Sequence, residues 1–568
     1  MRKQTKLVAV LSTAALLAIG ASMTSFAASG WAEEDGTWVY YDRNGDRVTD
    51  KWAKSGNNWY YLDSDGEMAI DTLIDDGDNY YYVDINGVMA SNQWVAIENE
   101  DAGDDNEPDH YWYYFQANGK ALTNGNNTSV SLKTINGKKY AFDTDGKMLY
   151  GWVSKDNAER IDNSNNDAFK DADYYFGGED DGAMTVGWLQ ADVTYEEATN
   201  DYEIAPVFND DEDQTRWFYF QSNGKMVKAD PGKFQKSKTI NGKKYEFDEN
   251  GAMTAEWSLD VKAASDNGTR NSYSTSTANN VSAKYAQQWR YFNSVEDGAR
   301  VSKGWFKVVP AEYLNSTRYN DDEDAWYYAD GSGNLYAGEF KTIKGKKYAF
   351  RDDGRMLDGL KFIRKTSTGL DVMASDGSLP YETEGEFDAS ATKLNKQNYL
   401  CYYFGDSSDG AMKTGKSSID IDGDKFNFYF ETAGSNKGAG KTGEKDKKLY
   451  QSGKLLTAGK DEKYQVVEAI STNDEVGYKK YEDAKDFIDN SGIVTKKTGY
   501  TDADLTAAHI NKKAADVSEF YVVNDAADKF DLVNTSGKVI TSNGKNKDGN
   551  DYNYVINGKK IVAIYVEN

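Results

Sequence analysis

The sequence predicts an all-β protein, an elongated solenoid of stacked β-hairpins carrying inserted polar loops, and three observations predict it. The first is composition: 41 Tyr, 23 Phe and 13 Trp accompany 51 Gly and 5 Pro in 568 residues. Aromatic side chains favour the half-buried surface of a strand, and frequent glycine supplies turns. The second is a short period. Trp31, Trp52, Leu73 and Trp94 fall 21 residues apart, as do Trp38, Trp59 and Tyr80, then Tyr40, Tyr61 and Tyr82, then Gly45, Gly66 and Gly87. The third is a longer period: Trp112-Tyr113-Tyr114-Phe115 returns as Trp217-Phe218-Tyr219-Phe220 after 105 residues and as Trp326-Tyr327-Tyr328-Ala329 after a further 109.

Each short unit reads as an aromatic strand, a turn such as Asp63-Ser64-Asp65-Gly66, and a return segment carrying Met68 or Met89, which is a hairpin followed by a connector. A lone two-stranded hairpin is marginal in water, so the units must stack on their neighbours. Alternation along the strand sends Trp59 and Tyr61 to one face and Tyr60 and Leu62 to the other, leaving each hairpin two apolar faces to bury. In the longer repeat, Ile135-Asn136-Gly137-Lys138-Lys139-Tyr140 recurs from Ile240 and from Ile343. Tyr174-Tyr175-Phe176, Trp289-Arg290-Tyr291-Phe292 and Tyr402-Tyr403-Phe404 close the three copies.

The expected organisation is a signal peptide over 1–27, regular 21-residue hairpins over 28–93, and three copies of a roughly 105-residue three-hairpin module over 94–433. A Gly- and Lys-rich linker over 434–443 then leads to a divergent region over 444–568, read as a degenerate repeat cap or a small α+β domain with a short helix in 502–515. Polar insertions at 98–109, 209–213 and 320–324 read as loops projecting from one side.

The beginning of the chain has a basic start (Arg2, Lys3, Lys6), an apolar stretch over 7–20 and small residues Ser25 and Ala27, the pattern of a secretory signal. That stretch is short for a bilayer span, so no membrane insertion is expected. A net charge of -27 argues against nucleic acid or an anionic membrane surface as partner. The lone Cys401 excludes an internal disulfide framework, and His110 and His509 are too few for a His-based zinc site or triad. Asp420, Asp422, Asp424 and Glu431 have the spacing of a calcium loop, but Lys425 stands where glycine is required, so an ordinary Asp-rich turn is expected. No cofactor or metal is expected, and no nucleophile motif interrupts the repeats.

The order Gly-Trp, Trp-Tyr-Tyr, Gly-x-Met, Gly-Trp over roughly residues 30–430 resembles the cell-wall-binding repeats of Gram-positive surface proteins. That family includes choline-binding modules, glucan-binding repeats of glucosyltransferases and the repetitive tails of clostridial toxins. The resemblance implies a non-catalytic protein, secreted and retained on the cell wall, that docks on choline-substituted teichoic acid or polysaccharide. It leaves open an adhesin or toxin-like binder of host glycans and a cell-wall hydrolase hidden in 444–568, and it does not fix the oligomeric state. In choline-binding members the Gly-Trp tryptophan, the Trp-Tyr-Tyr tryptophan and an aromatic of the next hairpin cage a quaternary ammonium by cation-π attraction. Carried onto this chain, three sets are expected: Trp31, Trp38 and Tyr61; Trp52, Trp59 and Tyr82 with Met68 nearby; and Trp257, Trp289 and Tyr328. The pairs Trp94 with Trp112, Trp188 with Trp217, and Trp305 with Trp326 meet Ala141, Glu246 and Ala349 and are expected to be two-walled. Lys139, Lys244 and Lys347 stand in the Trp column of the middle hairpins, where Glu246 remains available to attract a cation. Two-walled aromatic surfaces of this kind suit a sugar ring.

Overall fold

The computed structural model describes residues 29–77, 79–100, 102, 107–195, 212–230, 236–259, 282–312, 314–373, 379–524 and 527–568. The expected signal peptide and parts of the polar loops lie outside the described residues. The chain forms two compact units, one of residues 1–193 with 218–227 and one of residues 194–217 with 228–568.

Antiparallel two-stranded hairpins build the first unit: Gly30–Glu34 with Thr37–Tyr41, Lys51–Ser55 with Asn58–Leu62, Thr72–Asp75 with Tyr80–Val83, Gln93–Glu98 with His110–Phe115, Lys133–Ile135 with Lys138–Tyr140, and Gly151–Val153 with Tyr174–Phe176. In the second unit the pattern continues through Lys236–Ile240 with Lys243–Phe247, Trp257–Leu259 with Trp289–Tyr291, Gly304–Val308 with Ala325–Ala329, and Glu339–Ile343 with Lys346–Phe350. The Asn-Gly turns are of the kind that matches strand twist: Asn136 and Gly137 have φ of 48° and 82°, Asn241 and Gly242 47° and 81°.

One recurring hydrogen bond joins most hairpins to their predecessors. Two residues past the turn glycine, a backbone N–H donates to the carbonyl of the Trp-column residue one hairpin earlier. Met68 N reaches Trp38 O at 2.7 Å, Met89 N reaches Trp59 O at 2.9 Å, and Met148 N reaches Trp112 O at 2.7 Å. The second unit repeats it with Met356 N to Trp326 O at 2.8 Å and Met412 N to Lys347 O at 2.7 Å. The methionine side chain then lies under the following turn: a Cβ built on Gly87 would meet Met68 Sδ at 2.8 Å. Gly87 has φ +73°, so both the backbone and the space exclude a side chain there.

The core runs along the residue that ends each second strand or lies one or two positions past it. Leu62, Val83, Phe115, Phe142, Phe176 and Phe220 are fully buried in the first unit, and Phe247, Phe292, Ala329, Phe350, Phe404 and Phe430 in the second. Many turns are closed by an Asp side chain accepting two backbone N–H groups. Asp63 Oδ1 takes Asp65 N and Glu67 N, both at 2.9 Å, and Asp143 Oδ1 takes Asp145 N at 2.9 Å and Lys147 N at 2.8 Å.

The stretch 434–443 is not a linker. Gly440 N donates to Cys401 O at 2.7 Å and Lys441 N to Tyr429 O at 3.0 Å, so it is the turn and return segment of the hairpin Gly415–Ile421 with Asp424–Phe430. The expected boundary near 443 falls inside a five-stranded sheet that also holds Gly443–Lys445, Lys448–Gln451 and Lys454–Leu455. Glycine-rich composition misled here because Gly438 is needed under Met412. Asp422 and Gly423 form the hairpin turn, with Gly423 N on Asp420 Oδ1 at 2.9 Å, and the described residues hold no group of three or more potential metal ligands. Beyond it come a three-stranded sheet (Val476–Lys480, Tyr464–Ser471, Phe530–Asn534), a second five-stranded sheet, and helices Ala484–Asn490 and Asp502–Ala507. The repeat signature survives there, since Val539 N donates to Lys447 O at 2.9 Å.

Burial pushes the Asp143 carboxyl up to about 6 from its ordinary 3.8, against the pull of its two turn amides. A raised carboxyl binds its proton more tightly in the folded state, so the ionised form carries a penalty above that pH that fades as pH falls toward 3.8. Asp143→Asn keeps the Oδ1 acceptor and removes the charge. Urea unfolding should show the variant more stable than the parent by up to about 3 kcal/mol at neutral pH, the gap closing near pH 4.

Candidate functional site

The Gly-Trp tryptophans sit at the seams between hairpins. Register pairs Trp31 with Tyr40 and Trp52 with Tyr61 across their own hairpins. The rings meet edge-on, Trp31 to Tyr40 and Trp52 to Tyr61 both at 5.2 Å. The wall from the next hairpin is the middle tyrosine of its Trp-Tyr-Tyr strand: Trp31 meets Tyr60 at 5.2 Å and Trp52 meets Tyr81 at 5.0 Å. The expected third walls, Tyr61 and Tyr82, point to the opposite strand face, and Tyr82 donates to the Asp71 carboxylate. A shift of one residue along a strand reverses the side, which is why a column read only by period missed this.

Read with the middle tyrosine, two of the three sites expected to be two-walled gain a third aromatic. Trp94 meets Tyr140 at 4.9 Å, and Trp305 meets Tyr348 at 4.8 Å and Trp326 at 6.4 Å. Ala141 and Ala349 are core residues. Two of these seams differ from the first pair in lying deeper, since Tyr140 and Tyr348 are buried whereas Tyr60 and Tyr81 are partly exposed. Trp59 is 40% exposed, with Lys54 Nζ 5.6 Å from its ring centre. Met68 belongs to the joint between hairpins described above. The indole nitrogens of Trp31 and Trp52 are shielded and have no hydrogen-bond partner among the described residues.

The set Trp257, Trp289 and Tyr328 does not form a cage. Trp257 and Trp289 are 3% and 2% exposed and lie in one core cluster, covered by Tyr285 of the short helix Ala283–Ala286. Trp257 Nε1 is spent on Val309 O at 2.7 Å, and Tyr328 belongs to the neighbouring cluster with Trp305. The inserted segment between the two strands supplies the cover, and aromatic spacing alone carries no sign of it. Glu246 is buried and paired with Arg290 at 3.4 Å, so it is not available to a ligand.

Carboxylates do reach some of the Trp-column residues. Trp112 Nε1 donates to Asp180 Oδ1 at 3.1 Å, which also meets His110 Nε2 at 3.1 Å. Trp217 Nε1 donates to Glu296 Oε2 at 3.3 Å. Each acid stands two residues before a turn glycine, where the third module has Ser408. A separate cavity of about 450 Å³ lies among Glu107, Tyr111, Asp143, Tyr150 and Arg160. There Lys147 and Arg160 stand over the Tyr111 and Tyr150 rings at 3.8 and 4.5 Å, so the chain's own cations take those faces.

Aromatic seams between stacked hairpins, spaced along a Gly-Trp pattern, match a family model described as a choline-binding repeat over residues 28–72 and 48–94. A cell wall binding repeat matches over 213–226. Over those residues the hairpins are cell-wall-binding repeats. Among curated proteins, glucosyltransferase-S of Streptococcus mutans serotype c is 29% identical over 380 residues, 60% of this chain and 22% of that protein. Glucosyltransferase-I of Streptococcus downei is 24% identical over 323 residues, 54% of this chain and 16% of that protein. The chain thus spans about a fifth of the length of these relatives. Among solved structures, choline binding protein F from Streptococcus pneumoniae aligns with 16% identity over 76% of this chain and 100% of its own, at a TM-score of 0.21.

Trp289→Ala tests the division between core and seam. Emptying that buried position should cost about 3–5 kcal/mol in chemical denaturation, far more than truncating the 40%-exposed Trp59.

Proposed function

We propose that the protein is a non-catalytic binder of the cell envelope that holds choline-bearing wall polymer at its hairpin seams. The observation that carries this reading is the three-aromatic seam itself. Trp31 with Tyr40 and Tyr60, and Trp52 with Tyr61 and Tyr81, bring three aromatic rings together, with Trp38 and Trp59 on the same hairpins, on a chain whose net charge is -27. A quaternary ammonium cannot donate a hydrogen bond, so ring quadrupoles and a negative field are the means of holding it. Asp180 and Glu296, beside Trp112 and Trp217, strengthen that field. Each contact is weak, at about 0.5–2 kcal/mol. Several seams on one chain convert weak contacts into retention on a polymer.

Extracellular residence on the wall follows from the same reading, and no helix among the described residues is long and apolar enough to cross a membrane. A second reading, binding of glucan, is supported by the exposed face of Trp59 with Lys54 at its side, a platform on which a sugar ring stacks and hydrogen-bonds at its rim.

Choline titrated into the full chain should quench tryptophan fluorescence, and protein held on isolated walls should elute in millimolar choline. Tyr60→Ala and Tyr81→Ala should each weaken a seam by about 0.5–2 kcal/mol, while Trp289→Ala, if folded, leaves choline affinity unchanged. Release by soluble glucan and not by choline would replace the first reading with the second. Release by neither would sink both. Wall zymography should show no clearing.

A further inference from the structure

The middle hairpin of the third module, Glu339–Ile343 with Lys346–Phe350, departs from the aromatic pattern in a specific way. Phe340 takes the Gly-Trp column, and Tyr402 of the next hairpin meets its ring at 5.2 Å. Lys347 takes the Trp column, its carbonyl accepting the joint from Met412 N at 2.7 Å. The backbone is that of an aromatic seam with an ammonium where the indole would be. A second lysine joins it: Lys347 Nζ and Lys365 Nζ stand 4.9 and 5.1 Å from the centre of the Phe340 ring.

Several neighbouring lysines find acids. Around this spot Lys341 pairs with Glu339 at 3.0 Å, Lys346 with Asp409 at 3.7 Å, and Lys441 with Glu431 at 3.3 Å. Lys347, Lys365 and Lys437 have no such partner among the described residues. Burial, then the charges of Lys365 and Lys437, hold the Lys347 ammonium below the usual lysine range. Two ammoniums sharing one apolar ring lose hydration and repel each other, a cost that an anion between them would relieve.

A cavity of about 490 Å³ opens beside Lys365 and Phe340, lined also by Lys284, Thr366, Ser367 and Thr368, and Lys347 adjoins it through the Phe340 ring. That volume lies within the range of small-ligand sites. Glu339 on its wall is already held by Lys341, and Asp352 behind it accepts Leu370 N at 3.3 Å. The matching hairpin of the second module has Ser237 opposite Glu246 where this one has Phe340 opposite Ala349. No comparable platform is formed there.

We propose that Lys347, Lys365 and the adjoining cavity form an anion site for a phosphate group. The lysines supply point charges, Phe340 an apolar floor, and Ser367 and Thr368 hydroxyl donors, Thr366 Oγ1 being spent on Gly369 O at 3.0 Å. The site stands without the choline reading, and rests on it only where the phosphate belongs to the same polymer. In that case a seam for the cation and this site for the anion would together take a zwitterionic group.

Isothermal titration of the full chain at low ionic strength tests this with three probes: inorganic phosphate, phosphocholine and choline. Inorganic phosphate should bind saturably and about tenfold more weakly to the Lys347→Gln/Lys365→Gln variant, whose choline affinity and thermal midpoint stay at the parent's. Phosphocholine losing affinity in the same variant would mark a polymer phosphate as the occupant, and unaltered phosphocholine binding would mark free phosphate. No saturable phosphate binding by the parent, or equal binding by parent and variant, overturns the site. Absence of choline binding by the parent overturns the earlier reading and leaves this one standing.

Discussion

The structure depends on a single recurring hydrogen bond, from the backbone N–H two residues past most turn glycines to a carbonyl in the preceding hairpin. A two-stranded hairpin leaves one edge of each strand unpaired and too little apolar area to persist alone. The bond satisfies part of that edge and fixes the distance between neighbours. Everything else is set by that spacing. The residue that ends each second strand is pressed into the core, methionine is laid under the next turn, and the Gly-Trp tryptophan faces the next hairpin's middle tyrosine at about ring-contact distance.

How far this was legible in the sequence depends on what each residue signals. Turns and strand limits were readable because Asp, Asn and Gly are required by backbone geometry, as Asp63, Asn136 and Gly87 show. The assignment of walls was not, because Tyr60 and Tyr61 are chemically identical and differ only in the side of the pleat. Strand alternation held the necessary clue: Tyr60 shares a face with Leu62, which turned out to be the core-facing side. The set containing Trp257 failed for another reason. Its fate was decided by Tyr285 and a short capped helix inside an insertion, a tertiary contact that no period encodes. Gly434, Gly438 and Gly443 looked like a flexible linker, yet Gly438 is small because Met412 occupies the space beside it.

The acidity of the chain also divides into parts. Asp63, Asp84, Asp143, Asp248 and Asp330 each spend a carboxylate oxygen on two turn amides. Asn534 does the same with a neutral amide, so the negative charge is not what the turn requires. Asp181, Asp297 and Asp409 tie Lys138, Lys243 and Lys346 at equivalent places in the three modules. Such exposed pairs contribute little stability. Asp180 and Glu296 are the ones that lie against indole edges.

The joining hydrogen bond is local in the chain. Met68 to Trp38 and Met89 to Trp59 each span 30 residues, and Met184 to Lys139 spans 45. Little loop-closure entropy is lost before such a contact is rewarded, so folding need not wait for distant segments to meet. Any hairpin pair can act as a nucleus, and growth can proceed by adding one neighbour at a time. The same locality means that duplication or loss of a whole module leaves the remaining joints in register. A binding surface of this kind can change its number of sites without changing its fold.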